Sequence, residues 1–392
     1  MADKYDNRIW SQNTQVLNLD ENFDDDLAIS PSIHQSVNYA IKDEQHYEEI
    51  DVPLGDKFYS RRGNPTSSRL SKIIAGLEGG ETGMMFASGM AAISTTMMTF
   101  LKAGDHVVAQ NCHYIGIGEM IDKILPAQGV TSTRVDQTSV EAFEQAIRPN
   151  TKLIILETPV NPLMHITDFK AVCELAKSYG ILTFCDNTFA TPLNQRPMDF
   201  GVDIVMHSAT KYIGGHHDLL SGSVTASAEI MEKIWDLSMT LGSVAAPFNS
   251  WLALRGIRTL GLRIAQHNKN AMAIAEYLEQ HAAVEKVYYP GLKNHPQHKL
   301  AKSQMSGYGG LLTFDLKGGY DAGQSFIKNL NLARNASSLG GVSSTVIQPA
   351  ALFGGRLPQE VVEKQGITMG MIRFATGIET TDDLINDIDQ AL

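Results

Sequence analysis

The sequence predicts an α/β fold with a mainly parallel central sheet covered by helices, and three observations predict it. From about Gly80 onward, short apolar runs recur, each long enough for one strand. Amphipathic stretches with helical spacing lie between several of them. The chain has 392 residues, 43% of them hydrophobic, which is too long for one ordinary domain and suggests two or more. Strands that alternate with helices pack as a parallel sheet between helical layers.

In chain order, residues 1 to about 60 show no long periodic segment and read as an extended arm with short helices. Asp20, Glu21, Asp24, Asp25 and Asp26 cluster there and are expected to be a solvated face of the arm. The strand candidates are Met84–Phe86, His106–Ala109, Leu153–Glu157, Ile181–Asp186, Asp203–His207 and Ser223–Ala226, with a helix expected at Asp168–Tyr179. After Pro247 a helical pattern runs from about Ser250 to His281 and is expected to join two domains. Further strands are expected at Gly310–Leu316 and Met371–Thr376, and an amphipathic helix at Thr381–Leu392. No repeat or low-complexity tract occurs, and the scattered Pro and Gly mark turns.

Composition excludes several classes of function. A net charge of -11 argues against nucleic acid or an anionic membrane as the main partner. The three cysteines, Cys112, Cys173 and Cys185, form no CxxC pair, so neither a disulfide framework nor a zinc ribbon is expected. The start, MADKYDNRIW, lacks the apolar core of a signal peptide, and no uncharged apolar stretch of about 18 residues is present to cross a membrane. A cytoplasmic protein is the expectation. His216 and His217 are adjacent and so point in different directions; with no third ligand in view, no metal site is expected.

The chemistry concentrates in short segments that follow the apolar runs. Ser208-Ala209-Thr210-Lys211-Tyr212 comes directly after Asp203–Met206, which places Lys211 on a loop at a strand's end. A partly buried lysine has a lowered pKa and forms an imine with an aldehyde, and the two hydroxyls suit a phosphate. Alone, this segment is a weak signal, and a lysine in such a segment is far more often simply on the surface. Asp186 ends the run Ile181–Phe184 and needs a partner if buried, or else is a simple turn cap. The cationic pyridine nitrogen of pyridoxal phosphate (PLP) is such a partner, and it makes the ring an electron sink for a Cα carbanion. Ser88-Gly89-Met90-Ala91-Ala92 stands between a strand and a helix, where backbone amides bind phosphate or simply form a turn. Glu157-Thr158-Pro159-Val160-Asn161-Pro162 holds Asn161 between two prolines. The remaining segments are Tyr59 to Thr66, Ser338-Leu339-Gly340-Gly341, and Arg373 on an otherwise apolar strand, where a guanidinium asks for a carboxylate or phosphate.

Together these segments resemble the Cys/Met-metabolism (trans-sulfuration) family of PLP enzymes, over about residues 15–392 and in the family's order. The resemblance implies the aminotransferase-like fold type I, with an N-terminal arm (1–60) that contacts a neighbouring subunit, a PLP-binding domain (61–255) and a smaller C-terminal α/β domain (256–392). It implies that Lys211 is the Schiff-base lysine and proton shuttle, and Asp186 the pyridinium partner. Gly89, Met90, Ser208 and Thr210 would form the phosphate cradle. Tyr59 and Arg61 would reach that phosphate from a neighbouring subunit, which makes a homodimer the minimal unit and a homotetramer the usual one. Tyr114 would stack on the cofactor and assist proton transfer, Asn161 would bond its phenolic oxygen, and Ser338 and Arg373 would clamp the substrate α-carboxylate.

The implied reaction is elimination or replacement at Cγ of a γ-substituted L-amino acid, such as cystathionine, methionine, homocysteine or a homoserine derivative; a β-lyase is the alternative. Four departures touch the mouth of the pocket. Ser337 stands where γ-enzymes often have Glu and β-lyases Tyr. Gln348 to Gly354 lacks the family's Thr-His element, Gly116 stands where methionine γ-lyases often carry Cys, and His217 replaces a small residue. They suggest a changed leaving group, including a non-sulfur one such as canavanine, or drift in an ordinary cystathionine enzyme. An aminotransferase and a non-catalytic relative are the readings from other classes, against which the SATKY, SGMAA and SLGG segments and the retained Lys211, Asp186 and Arg373 argue.

Overall fold

Two sheets organise the chain, whose computed structural model describes residues 10–20, 23, 28–353 and 366–392. The first sheet contains β1 (Thr82–Phe86), β2 (His106–Gln110), β3 (Thr131–Val135), β4 (Thr151–Glu157), β5 (Leu182–Asp186), β6 (Ile204–His207) and β7 (Gly222–Ala226). Its order is β1-β7-β6-β5-β4-β2-β3, parallel throughout except that β7 runs against both of its neighbours. The second sheet contains β8 (Val284–Tyr288), β9 (Leu311–Leu316), β10 (Arg334–Asn335), β11 (Thr345–Ile347) and β12 (Met371–Ala375), in the order β10-β11-β12-β9-β8. All the sequence-expected strands are present at these positions. β3, with its half-exposed polar residues, and the short or polar β8, β10 and β11 carry too weak an apolar signal to stand out.

The large sheet is buried on both faces because its central strands are apolar at successive positions. Successive side chains of a strand point to opposite faces, so each strand feeds two cores. Val107, Ile155, Phe184 and Met206 enter one with Phe86, Ile93 and Trp235, while Val108, Leu156, Cys185 and Val205 enter the other with Phe143 and Phe169. The second sheet has its own core around Phe314, Phe326, Phe374 and Leu384.

Two expectations are corrected. The helical pattern after Pro247 is two helices, Pro247–Ile257 and Leu260–Glu279, interrupted at Arg258-Thr259. Arg258 at the break donates to the Val16 carbonyl and to both oxygens of Asp20. Asp20 therefore is not solvated: it is buried and also paired with Arg69 of the Pro65–Glu78 helix, which pins the Gln12–Asn18 helix to the body. Glu21, Asp24, Asp25 and Asp26 lie outside the described residues, as does Gly354 of the Gln348 segment.

Candidate active site

In an open parallel sheet the strands release their chain direction, and the following loops, at one edge. Here β4 ends on Glu157, β5 on Asp186 and β6 on His207, one residue before the lysine loop. Glu157 pairs directly with Asp186 in register, and Asp186 with Met206. The antiparallel β7 starts at this same edge, with Phe86 of β1 opposite Gly222. Sheet topology thus brings Lys211, Asp186, Asn161, Tyr114 and the Gly89 turn to one rim.

Lys211 sits in a turn in which its own N–H bonds the Ser208 carbonyl and its carbonyl accepts from Gly215. Its Nζ donates to the Ser338 hydroxyl at 2.6 Å. The Ser338 carbonyl in turn accepts from Arg373 Nη2 at 2.8 Å, so the second sheet closes over the first at this residue. Ser338 has a φ of 79°, a left-handed conformation that non-glycine residues seldom adopt, and Gly340, with φ 77°, lies against Tyr212. The loop is held there also by Val342, whose N–H bonds the Gly215 carbonyl. Burial, reinforced by the Arg373 charge and opposed by Asp186, lowers the Lys211 ammonium to about 8. The amine is thereby available as a nucleophile near neutral pH.

Burial raises the Asp186 carboxyl, against the bonds from Thr188 and the influence of the neighbouring His207 and Lys211. Its Oδ1 accepts from Thr188 N–H at 3.0 Å, and the Thr188 hydroxyl accepts from Ser208 N–H at 2.8 Å, which ties the aspartate to the lysine loop. His207 and Asn187 both reach Glu78 Oε1, at 2.6 and 2.7 Å, in a fully buried network behind the aspartate. A cation beside Asp186 would reverse the direction in which its carboxyl is pushed.

The Gly89–Phe100 helix begins at the same rim, with Ser88 capping it by accepting from Ala91 N–H. A side chain at Gly89 would come within 3.0 Å of the Ser208 Cβ, so the first helical turn and the Ser208 hydroxyl face each other at close range. Thr210 is occupied differently: its hydroxyl donates to the Ser221 carbonyl at 3.1 Å and accepts from Ser221 N–H at 3.0 Å. Tyr114 is exposed, and a Cβ at Gly116 would come within 2.3 Å of Met90 Sδ and 2.6 Å of the Tyr114 ring. The absence of a side chain at Gly116 thus leaves room for Met90 and the Tyr114 ring beside it. Tyr59 and Arg61 are not part of this cluster: both face outward, Arg61 lying over the Tyr59 ring and donating to the Met239 carbonyl at 2.7 Å. A groove of about 470 Å³ lies elsewhere, lined among others by Arg62, Lys72, Met84 and Trp235.

Two polar atoms of the cluster have room for a further partner. Asn161 Oδ1 and Arg373 Nε are buried without a hydrogen-bond partner among the described residues. Such atoms are costly unless something else satisfies them. A helix N-terminus with a facing hydroxyl, a carboxylate, an available lysine and a guanidinium with its Nε unpaired fit PLP and an amino-acid carboxylate in charge and in kind. Sequence reasoning left Glu157, Thr188, His207 and Glu78 without roles. Glu157 carries the same signal as Asp186, an acid closing an apolar run, whereas Glu78 is recognisable only through its tertiary contacts.

The chain matches the model of the family described as Cys/Met metabolism PLP-dependent enzyme over residues 13–392. It is 48% identical over 335 residues to the cystathionine gamma-lyase of Bacillus subtilis (strain 168), covering 85% of this chain and 88% of that protein. It is 45% identical over 335 residues to the cystathionine beta-lyase of Lactococcus lactis subsp. cremoris (strain MG1363), with coverage of 85% and 88%. The crystal structure of metB from Corynebacterium glutamicum superposes with a TM-score of 0.92 at 36% identity, over 99% of both chains. The chain belongs to the Cys/Met-metabolism family and is a PLP-dependent lyase of that type, with the α/β fold of the trans-sulfuration enzymes.

Proposed function

We propose that this enzyme cleaves the Cγ–heteroatom bond of a γ-substituted L-amino acid, cystathionine first among them, by elimination or by replacement. The observation that carries the site is the contact of Lys211 Nζ with the Ser338 hydroxyl at 2.6 Å, near the charges of both Asp186 and Arg373, and the choice of γ chemistry is supported by the 48% identity to a cystathionine gamma-lyase. When bound, PLP supplies an electron sink for the bond broken at Cα. Lys211 then holds and moves protons: one from Cα and, because a γ group leaves only after Cβ is deprotonated, a second from Cβ. Ser338 orients the lysine amine, and Arg373 with Ser338 receives the substrate carboxylate. Asp186 partners the ring nitrogen, Asn161 the phenolic oxygen, and Gly89, Met90 and Ser208 the phosphate, with Thr210 bracing the turn through Ser221. Tyr114 covers the ring.

A beta-lyase is the second reading, favoured by the 45% identity to a cystathionine beta-lyase over the same span. A panel of cystathionine, methionine, homocysteine, canavanine and acylated homoserines, with and without cysteine, separates the readings by mass spectrometry. The γ reading expects 2-oxobutanoate or a γ-substituted homoserine derivative. Pyruvate and homocysteine from cystathionine would refute it in favour of the beta-lyase.

On the same reading, 61–255 hold PLP and 256–392 form the second domain; of the first 60 residues, the Gln12–Asn18 helix packs on its own chain, and the segment from residue 28 to 60 forms an arm toward a second copy. Ile29, Val37 and Ile41 are exposed on that arm, as are Tyr59 and Arg61, which supports a homodimer completed across its interface and paired into a homotetramer. Mixing Lys211→Ala with Arg61→Ala subunits tests it: activity returns in mixed dimers only if each site draws on both chains. The three buried free thiols fit a reducing, cytoplasmic compartment.

A further inference from the structure

We infer that Glu157 is a positioning residue, whose carboxylate locks the loops of Tyr114 and Asn161 into one frame beside Asp186. The inference rests on the assignment of Tyr114 and Asn161 to the cofactor. Glu157 is the last residue of β4, is buried, and has its own N–H bonded to Gln110 Oε1 at 2.9 Å. Its two oxygens go to different loops. Oε2 accepts from Tyr114 N–H at 2.6 Å, and Oε1 accepts from Asn161 N–H at 3.2 Å. Tyr114 stands at the uncapped start of a helical stretch that runs through Ile115–Glu119, Met120–Ile124 and Leu125–Ala127, and Asn161 lies between Pro159 and Pro162, so one carboxylate anchors the entry to a helix and a proline-flanked turn.

The chemistry selects Glu over its amide. Two N–H donors converge on one side chain, and only a carboxylate offers two acceptor oxygens; in Gln the NH₂ would face an N–H. The location is unfavourable for a second acid. Burial and the neighbouring Asp186 push the Glu157 carboxyl upward, while the bonds from the Tyr114 and Asn161 N–H groups favour its charged form. An acid kept in so costly a place is one whose contacts matter to the site.

The test compares PLP-loaded wild type, Glu157→Gln and Glu157→Ala. Three quantities are read: the PLP dissociation constant by fluorescence, the circular dichroism of the bound cofactor in its visible band, and folding by far-ultraviolet dichroism. Losing both anchors is expected to weaken PLP binding by about tenfold or more and to shrink the visible dichroism, since the ring's tilt depends on Tyr114 and Asn161. Glu157→Gln keeps one acceptor and is expected to fall between; it also serves as the folded variant should the alanine form not fold. Wild-type PLP affinity and unchanged visible dichroism in the folded variants would overturn the inference, even if thermal stability dropped. Borohydride fixation separates the two levels of failure. A wild type without a pyridoxyl label on Lys211 defeats the assignment of the site, and this inference with it. A labelled wild type with unaffected variants defeats only the role of Glu157.

Discussion

Replacing Gly222 by alanine is expected to damage the proposed PLP site from behind, by displacing the backbone of the Gly89 turn while leaving every side chain proposed to contact the cofactor in place. Gly222 opens β7 and pairs with Phe86, the end of β1. A Cβ there would come within 2.2 Å of the Ser88 carbonyl oxygen, 2.7 Å of its carbon and 2.9 Å of the Gly89 nitrogen. Non-bonded heavy atoms attract at roughly 3.5–4.0 Å, so the first of these contacts is more than about 1 Å too short. All three atoms are backbone, and no rotamer can relieve them. The first turn of the Gly89–Phe100 helix must move instead, and with it the amides that would receive the phosphate. Overpacking of this kind costs about 1–3 kcal/mol, which corresponds to roughly 5- to 150-fold in an equilibrium constant. Equilibrium titration of the apo chain with PLP, followed by absorbance, reads the loss, and a thermal melt of the same samples reads the strain. PLP affinity within twofold of wild type, with an unchanged melting temperature, would refute the assignment of this turn as the phosphate cradle.

Other outcomes follow from the same geometry. The rate at which apo chain captures PLP should rise with pH and level off above about 8, the lowered value of Lys211; stopped-flow absorbance checks this, since an unperturbed lysine would keep accelerating toward about 10.4. The sign for stability is fixed by the same shift: the folded value is the lower one, so the penalty for burying the ammonium is full below about 8 and vanishes as pH rises through 10.5. Arg373→Lys should raise KM for the amino acid about 10- to 100-fold and leave the PLP absorbance band unchanged, because a point charge replaces a two-pronged donor. Asp20→Asn should destabilise the apo chain by about 3–5 kcal/mol in urea unfolding at neutral pH, because it leaves Arg69 and Arg258 facing a neutral amide. Burial alone would raise the Asp20 carboxyl, but the two arginines outweigh it and hold it below its ordinary value. Its contribution is therefore complete above about 3.9 and lost as acid takes the pH down through the folded value.

Much of the architecture was legible because it is written in local pattern. β2, β4, β5 and β6 are runs of apolar residues, and burying them on both faces admits only a parallel sheet between helices. That Lys211, Asp186, Asn161 and Gly89 lie near one rim was legible for a related reason, since each follows such a run and the loops that leave parallel strands gather at one edge, whereas the roles proposed for them came from the family resemblance. What the local pattern cannot carry is pairing between distant segments. The antiparallel direction of β7, the burial of Asp20 between Arg69 and Arg258, and the break at Arg258-Thr259 each depend on a residue far away in the chain. So do the Glu78–His207 pair behind Asp186 and the Ser338 contact with Lys211, which span 129 and 127 residues. Residue types and their order determined which chemistry the chain could perform. Only the folded chain decided which charges are buried together, because the strength of a charge depends on the medium and the neighbours that tertiary packing places around it.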